Sequence, residues 1–442
     1  MLSVENNELL SKVGPATQMG QFFRRFWLPV CLSDQMPEPD SDPVRIRLLV
    51  EDLVAFRDSN GDVGLLQEKC PHRGASLAIG RVEDCGIRCL YHGWKFGIDG
   101  TLQDVPNHDD PRFKERLKAR SYPVREAGGL VWTYLGPAEK QPEFTRYAFM
   151  DAPEENRTIF RLHTAVNYLQ MVEGGFDSSH VGILHSDAAR PGWLDGGFTP
   201  NLAEENPGAL TVNDLAPRVE TRDTDFGFYS VAVRKAGSDE NGEQLENMRV
   251  VPFIFPSTRI IPAPSFMFTV FETPADDTNN TTHIVIHGKK PADRRALASL
   301  LGLEDPAFWS EADYRFKATW ENRFGQDRPK MKRNWTGFSG IEQEDAIIAL
   351  SMGPLVDRSQ EHLVPADRVV VHLRKKLLEC ARQAQKGEEP ATIECSDLTD
   401  VRAYDETHVS GYNWCRIVPH HGISPEIEPA EQRVAGRAVP AR

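Results

Sequence analysis

Two short stretches, CPHRGASLAIG (residues 70–80) and CLYHGWKF (residues 89–96), each set a cysteine and a histidine almost side by side. The pattern is C-x-H, sixteen intervening residues, then C-x-x-H. Two loops facing each other would each offer one thiolate and one imidazole. A zinc finger orders its ligands differently, with two cysteines first and two histidines later on a helix. The alternating order suits a two-iron, two-sulfide cluster, with Cys70 and Cys89 on one iron and His72 and His92 on the other. Imidazole is neutral where thiolate is anionic, so the histidine-bound iron is the easier one to reduce. The result is a relatively high-potential one-electron carrier. Pro71, Gly74, Gly93 and Trp94 flank the ligands, and Cys85 between the pairs reads as a packed thiol.

The surrounding pattern supports loops held between strands. VRIRLLV (residues 44–50) alternates, and LVAFRDSNGDVGLL carries Asn60-Gly61 between two apolar runs, a strong hairpin signal. GWKFGIDGTL repeats the device with Asp99-Gly100, and GGLVWTYLG (residues 128–136) reads as a further strand. Residues 43–148 are thus expected to form a small all-β domain. Before it, GQFFRRFWLPV (residues 20–30) reads as a short amphipathic helix ended by Pro29, in an N-terminal helical segment, residues 1–42. After it, residues 149–442 mix types. DFGFYSVAVRK, MRVVPFIFP, RIIPAPSFMFTVFETP and THIVIHGKK read as antiparallel strands, because the gaps between them are short. DAIIALSMG and PADRVVVHLRKKLLECARQAQKG read as helices, the second with Gly387 as its C-terminal stop. From about residue 420 the chain is rich in Pro, Glu and Arg, the composition of a loose or neighbour-wrapping tail.

At 442 residues the chain exceeds one ordinary core, and two domains are the default. Its formal net charge of −14, from 51 Lys and Arg against 65 Asp and Glu, argues against nucleic acid as a partner. No apolar run reaches the length of a membrane span, and MLSVENNELLSKVG lacks the charged-then-apolar pattern of a secretory leader. Seven cysteines are too sparse for a disulfide framework, so a reducing cytoplasm is expected.

A second constellation lies in DSSHVGILH, which supplies Asp177, His180 and His185. Residues five apart on a regular helix stand roughly 140° apart, so an unbroken helix cannot point both histidines at one metal. Gly182 between them permits a break that would converge them. Two histidines and one carboxylate with open positions opposite form the non-haem Fe(II) triad. The third ligand must come from elsewhere: Asp345 in EQEDAIIALSMG is the first candidate, with Glu342 and Glu344 as neighbours that could serve instead. Asp177, one turn before His180, suits an outer role, accepting an N–H from a metal-bound histidine.

Taken together, these residues resemble the large subunit of the Rieske non-haem iron ring-hydroxylating oxygenases, in the phthalate 4,5-dioxygenase-like branch. MGQFFRRFWLPV, CPHRGASLAIGRVEDCGIRCLYHGWKF, EGGFDSSHVGILH and EDAIIALSMGPLVDRSQEHL carry the resemblance along nearly the whole chain. It implies an α+β protein: an all-β Rieske domain joined to a helix-grip catalytic domain with a curved antiparallel sheet. It implies that Cys70, His72, Cys89 and His92 hold one 2Fe-2S cluster, and that His180, His185 and Asp345 bind one Fe(II). Asp177 would then link the iron of one subunit to His92 of its neighbour, in a homotrimer or two stacked trimers. An NAD(P)H-dependent flavin and iron–sulfur reductase would supply electrons for O2-dependent cis-dihydroxylation. Glu173 receives no role. A monooxygenase or O-demethylase on the same scaffold is the alternative, and a bare electron carrier would need none of the second constellation.

Members of that branch mostly take aromatic carboxylates: phthalate, isophthalate, halobenzoates and phenoxybenzoates. A carboxylate entering an apolar pocket needs a cation, and the guanidinium fork matches it. Arg222, Arg234, Arg249 and Arg259 lie on the expected strands, with Arg249 the first choice and Arg234 the second. Arg234 alternates with Val231 and Val233 and so faces the opposite way. Phe253, Phe255, Phe266 and Phe268 are candidate walls, though ordinary core suits most of them.

Overall fold

The computed structural model describes residues 2–189, 214–263, 265–388 and 395–418; the tail beyond residue 418 lies outside them. The Asn60-Gly61 hairpin forms as its turn chemistry dictates. Strands Glu51–Arg57 and Val63–Gln67 pair antiparallel, and Gly61 takes a φ of +90°, which favours glycine. Val44–Leu48 completes a three-stranded sheet. Four short strands, Arg81–Glu83, Gly86–Arg88, Lys95–Phe96 and Leu102–Asp104, follow one another in a second sheet. Phe56, Leu66, Leu77, Ile87, Phe96 and Leu102 pack around Cys70 and Cys89, so the two thiols belong to the core of this β unit.

The helix expected over residues 20–30 is shorter. It spans Gln18–Phe23, and Pro29 sits in strand Leu28–Leu32, which pairs with Leu130–Thr133. The register shifts between Pro29 and Cys31, which accommodates a residue with no N–H to give. Helices Val4–Ser11 and Gln18–Phe23 lie against the long helix Arg368–Gln385. That helix stops where expected, at Gly387, whose φ is +77°.

The remaining strands build one antiparallel sheet. Its order is Arg157–Thr164, Asn279–Gly288, Phe266–Asp276, Thr258–Pro262, Gln244–Ile254, Gly227–Ser238 and Arg218–Asp223. Tyr404–Val409 also pairs with Gln244–Ile254, a contact across about 150 residues that no local pattern announces. Directly paired residues share a face. Phe228, Ser230, Ala232 and Arg234 therefore face the same way as Phe253, Val251, Arg249 and Asn247. Phe253 pairs with Arg259 and Arg259 with Val270, which extends that face across the sheet. Helix Tyr168–Phe176 lies on it, with Phe176 edge-on to Phe253. Helix Ile341–Ser351 packs on Tyr168–Phe176 in turn. Among the described residues, mixed helices over an antiparallel sheet, without a closed barrel, are the α+β arrangement expected.

Candidate metal centres

The two cysteine–histidine loops repeat one hydrogen-bond scheme. Gly74 N donates to Cys70 O at 2.9 Å, and Gly93 N to Cys89 O at 3.0 Å. Cys70 N donates to Ala75 O, and Cys89 N to Trp94 O, both at 2.8 Å. Each loop therefore turns back on its own cysteine, and the glycine at its apex has positive φ, +74° and +77°. Both cysteines are buried, whereas His72 and His92 are only partly covered. Their rings stand 4.5 Å apart, and His72 stacks on Trp94 at 4.4 Å with an interplanar angle of 8°. Trp94 is itself held by Asn107 Oδ1 at 2.8 Å. Inner thiols and outer imidazoles, brought together from matching loops, fit a cluster with one iron buried and one near the surface.

The second centre arises from a broken helix. Tyr168–Phe176 ends at Asp177, whose extended backbone (φ −68°, ψ 105°) lifts the chain off the helix. His180 caps a single turn, Val181–Leu184, and His185 closes it. The break thus falls before His180, and Gly182 lies buried inside the turn rather than at a break. With one turn between them the two rings converge, Nε2 to Nε2 at 3.2 Å. Asp345 Oδ1 completes the group, 3.1 Å from His185 Nε2 and 3.5 Å from His180 Nε2. One ligand atom from each of the three lies within 4.8 Å of the others.

Of the three carboxylates in the EQED run, each has a different place. Asp345 faces the Nε2 atoms, and Glu344 Oε2 lies 2.8 Å from His185 Nδ1. The other oxygen of Glu344 accepts from Thr336 Oγ1 at 2.5 Å. Glu344 therefore holds the far nitrogen of His185 and aims Nε2 at Asp345. Glu342 is buried, and burial, reinforced by Asp345 and Glu272, pushes its carboxyl up to about 8. Asp177 accepts from Ser179 N at 2.8 Å and Ser179 Oγ at 2.7 Å, with His180 Nδ1 at 3.5 Å. Burial opposes its charge, but these contacts prevail and hold it down at about 2. Burial also opposes a charge on His185, yet Asp345 and Glu344 outweigh it and push the imidazole up to about 10. The site draws in positive charge, a proton where no metal is bound, and its donor set of two imidazoles and one carboxylate fits ferrous iron.

A cavity of about 230 Å³ opens beside His180 and Asp345, with Gln170, Gly175, Arg259 and Met352 among its walls. Arg259 passes under Gly175, where a Cβ would lie 2.0 Å from Arg259 Nε, and pairs with buried Glu272 at 2.7 Å. Arg222 pairs with Tyr229 and so sits on the opposite face from Arg234. Arg249 is committed to Asp405, Nη1 to Oδ2 at 2.7 Å. Arg259 Nε is buried without a partner. Arg234 is not among the residues lining that cavity. It is 1% exposed and donates through Nε to Asp214 O at 3.1 Å and through Nη2 to Ser178 O at 2.6 Å, while Nη1 is buried without a partner. Burial lowers its pKa to about 10, leaving it charged near neutrality. Phe253 and Phe255 belong to one core cluster and Phe268 to another, with Phe266 packed against it.

One network escaped the sequence reading. Glu173 accepts from Arg358 Nε at 2.9 Å and Arg374 Nε at 2.6 Å. Arg374 reaches on to Glu361 with both terminal nitrogens, and Arg358 Nη1 to Asn7 Oδ1 at 3.1 Å. It ties the N-terminal helix and Arg368–Gln385 to the helix leading into Asp177. Its members lie up to 351 residues apart, so only their charge was visible beforehand.

A one-electron carrier site in a β domain, joined to a His/His/carboxylate group over an antiparallel sheet, defines an oxygen-activating redox enzyme. Residues 26–123 match the Rieske [2Fe-2S] domain, and residues 133–428 match the family described as LigXa C-terminal domain like. The chain belongs to the Rieske non-haem iron aromatic ring-hydroxylating oxygenases, as a large subunit of the phthalate 4,5-dioxygenase-like branch, with one 2Fe-2S cluster and one mononuclear iron. It is 36% identical over 398 residues to the phthalate 4,5-dioxygenase oxygenase subunit of Pseudomonas putida, covering 88% of each chain. It is 31% identical over 401 residues to the 3-chlorobenzoate-3,4-dioxygenase oxygenase subunit of Comamonas testosteroni (86% of this chain, 89% of the relative). The 5,5'-dehydrodivanillate O-demethylase oxygenase subunit of Sphingobium sp. (strain NBRC 103272 / SYK-6) is 27% identical over 403 residues (89% and 84%). Among solved structures, Pseudomonas putida CBB5 NdmA QL mutant with theobromine has the same fold, with a TM-score of 0.58 at 19% identity, covering 90% of this chain and 99% of that one. Among the described residues no helix is long and apolar enough to cross a membrane.

Proposed function

We propose that this chain is the oxygenase component of a dioxygenase that converts an aromatic carboxylate to a cis-dihydrodiol, using O2, two electrons and two protons. The single observation that carries the substrate class is Arg234: a buried guanidinium with an unpartnered Nη1, on the sheet face beneath the metal-bearing segment. Orphaned buried donors are rare and costly, and a carboxylate oxygen satisfies one. The phthalate and chlorobenzoate relatives support the same class. Arg249, bound to Asp405, ranks second.

In this reading Cys70, Cys89, His72 and His92 hold the cluster, and His180, His185 and Asp345 hold the iron. When bound, ferrous iron supplies the oxygen-activating chemistry, fed one electron at a time from the cluster. The chain's own residues do the rest. Glu344 orients His185, and Ser179 locks Asp177 so that its second oxygen lies 3.5 Å from His180 Nδ1. A partner subunit's His92 would meet Asp177 from outside, in a homotrimer or two stacked trimers. Exposed apolar side chains support such a contact at both ends: Leu90 and Tyr91 in the loop bearing His92, and Ile348, Met352 and Leu363 around the cavity beside Asp177. A separate NAD(P)H-dependent flavin and iron–sulfur reductase would supply the electrons, and the cytoplasm is the compartment this requires. The second reading, O-demethylation of a methoxylated ring, draws on the 27% identical demethylase relative.

The test is substrate-dependent oxygen uptake by the purified protein with a surrogate reductase, across benzoates, phthalates and neutral methoxyarenes. Uptake with a carboxylate and two oxygen atoms in the product is expected. Loss of a methyl group, or gain of one oxygen, would replace this reading with the second.

A further inference from the structure

A chain with a formal net charge of −14 repels anions on average. The metal centre adds Asp177, Glu344 and Asp345, and Asp187 follows His185 by two residues. One segment runs against that balance. Residues 323–333, RFGQDRPKMKR, hold five cations, Arg323, Arg328, Lys330, Lys332 and Arg333, against the single acid Asp327. Lys330 donates to Phe338 O at 2.6 Å and to Ser339 Oγ at 2.9 Å. The other four cations are exposed, and none of them forms an ion pair among the described residues. Like charges crowded into a short loop repel one another, so they cost stability rather than add to it.

Two anchors place this segment beside the iron ligands. Phe324 and Phe338 share a small core cluster with Ile347, two residues beyond Asp345 on the same helix. Trp335 N donates to Asp187 Oδ2 at 2.8 Å, and Thr336 Oγ1 to Glu344 Oε1 at 2.5 Å. Arg333 and Lys332 precede Trp335 by two and three residues, so the chain holds them within about 7 and 11 Å of it. A surface charge is felt over about 10 Å at 0.1 M salt and about 30 Å at 0.01 M. These cations therefore act on an anion approaching the metal centre without touching it.

We infer that residues 323–333 form an electrostatic collar that draws aromatic carboxylates toward the iron site and selects substrate by charge at the encounter. The inference rests on the carboxylate reading above. Steering of this kind speeds association by roughly 10- to 1,000-fold and fades with ionic strength.

The experiment uses the full iron-loaded chain, reduced with dithionite and free of reductase. It compares phthalate with its uncharged dimethyl ester between about 20 mM and about 500 mM salt. Two quantities are read: affinity by anaerobic calorimetry, and product formed in a rapid-quench single turnover at substrate well below saturation. For the native chain, phthalate affinity and rate should both fall at least about tenfold across that range, and the response of the ester should stay under about twofold. Lys332→Glu with Arg333→Glu should lower the phthalate rate about tenfold at low salt and match the native chain at high salt. The loss should lie in KM rather than in the rate at saturating phthalate. Lys332→Gln with Arg333→Gln removes the charge without reversing it and should fall midway on a logarithmic scale, a grading that a purely structural lesion does not produce. A phthalate rate as indifferent to salt as that of the ester, or a native rate at low salt in the Glu pair, overturns the collar and leaves the carboxylate reading standing. Effects that emerge only once reductase is added also overturn it, and assign the patch to an acidic protein partner. A chain that oxidises neutral arenes and no carboxylate overturns the substrate reading, and the collar with it.

Discussion

Glu344 Oε2 and His185 Nδ1 lie 2.8 Å apart, and this contact decides which nitrogen of His185 faces Asp345. The carboxylate accepts the Nδ1 proton, so the Nε2 lone pair is left for a metal. Glu344→Ala should lower iron affinity by about 10- to 100-fold with the fold intact. Iron per chain after dialysis against a chelator measures it, and undiminished retention would remove the orienting role.

Asp177 accepts from Ser179 on one oxygen and lies beside His180 with the other. Asp177→Asn keeps the shape and loses the charge. Both metal sites should stay filled while turnover drops by at least about a hundredfold, a loss of roughly 3 kcal/mol in transition-state terms. Iron content and steady-state oxygen uptake, read together, check it; normal turnover would dispose of the electron bridge.

His72 stacks on Trp94 at the outer side of the cluster loops. His72→Cys replaces a neutral ligand with an anionic one and should lower the cluster potential by on the order of 100 mV or more. A redox titration followed by electron paramagnetic resonance reads the shift, and an unchanged potential means His72 is not a ligand.

Glu342 sits in the first turn of helix Ile341–Ser351, and burial, with Asp345 and Glu272, raises its carboxyl to about 8. A carboxyl raised by folding holds its proton more tightly in the native state than in the unfolded chain, where it titrates near its ordinary value of about 4.3. The native state therefore binds more protons between about pH 4.3 and pH 8, and stability falls as pH rises through that window. In iron-free protein, Glu342→Gln should flatten this slope, raising the denaturation midpoint at pH 8 and changing it little at pH 5. Parallel curves for the two proteins would contradict the burial argument.

Glu173 carries the charge that balances Arg358 and shares Arg374 with Glu361. Glu173→Ala leaves Arg358 buried without a carboxylate, at a cost of about 3 kcal/mol. Denaturant unfolding measures it. A change under about 0.5 kcal/mol, the range of ordinary surface substitutions, would mean the network contributes little to stability.

Much of this was legible along the chain because it is short-range chemistry. Cys70, His72, Cys89 and His92 declare themselves by spacing, Asn60-Gly61 by the backbone only it adopts readily, and Gly387 by the end of a helix. Tertiary structure decided what spacing cannot. Asp345 and Glu344 are adjacent, and only the rotation of their helix against His185 assigns one to Nε2 and the other to Nδ1. The helix break at Asp177, rather than at Gly182, is what lets His180 and His185 converge. Arg249 and Arg234 look alike in sequence. Asp405, about 150 residues away on a strand no local pattern pairs with Gln244–Ile254, occupies the first, while Arg234 reaches Ser178 through Nη2 and keeps Nη1 without a partner. Local preference acts over a few residues, and which charge meets which is settled only when distant strands pair and exclude water.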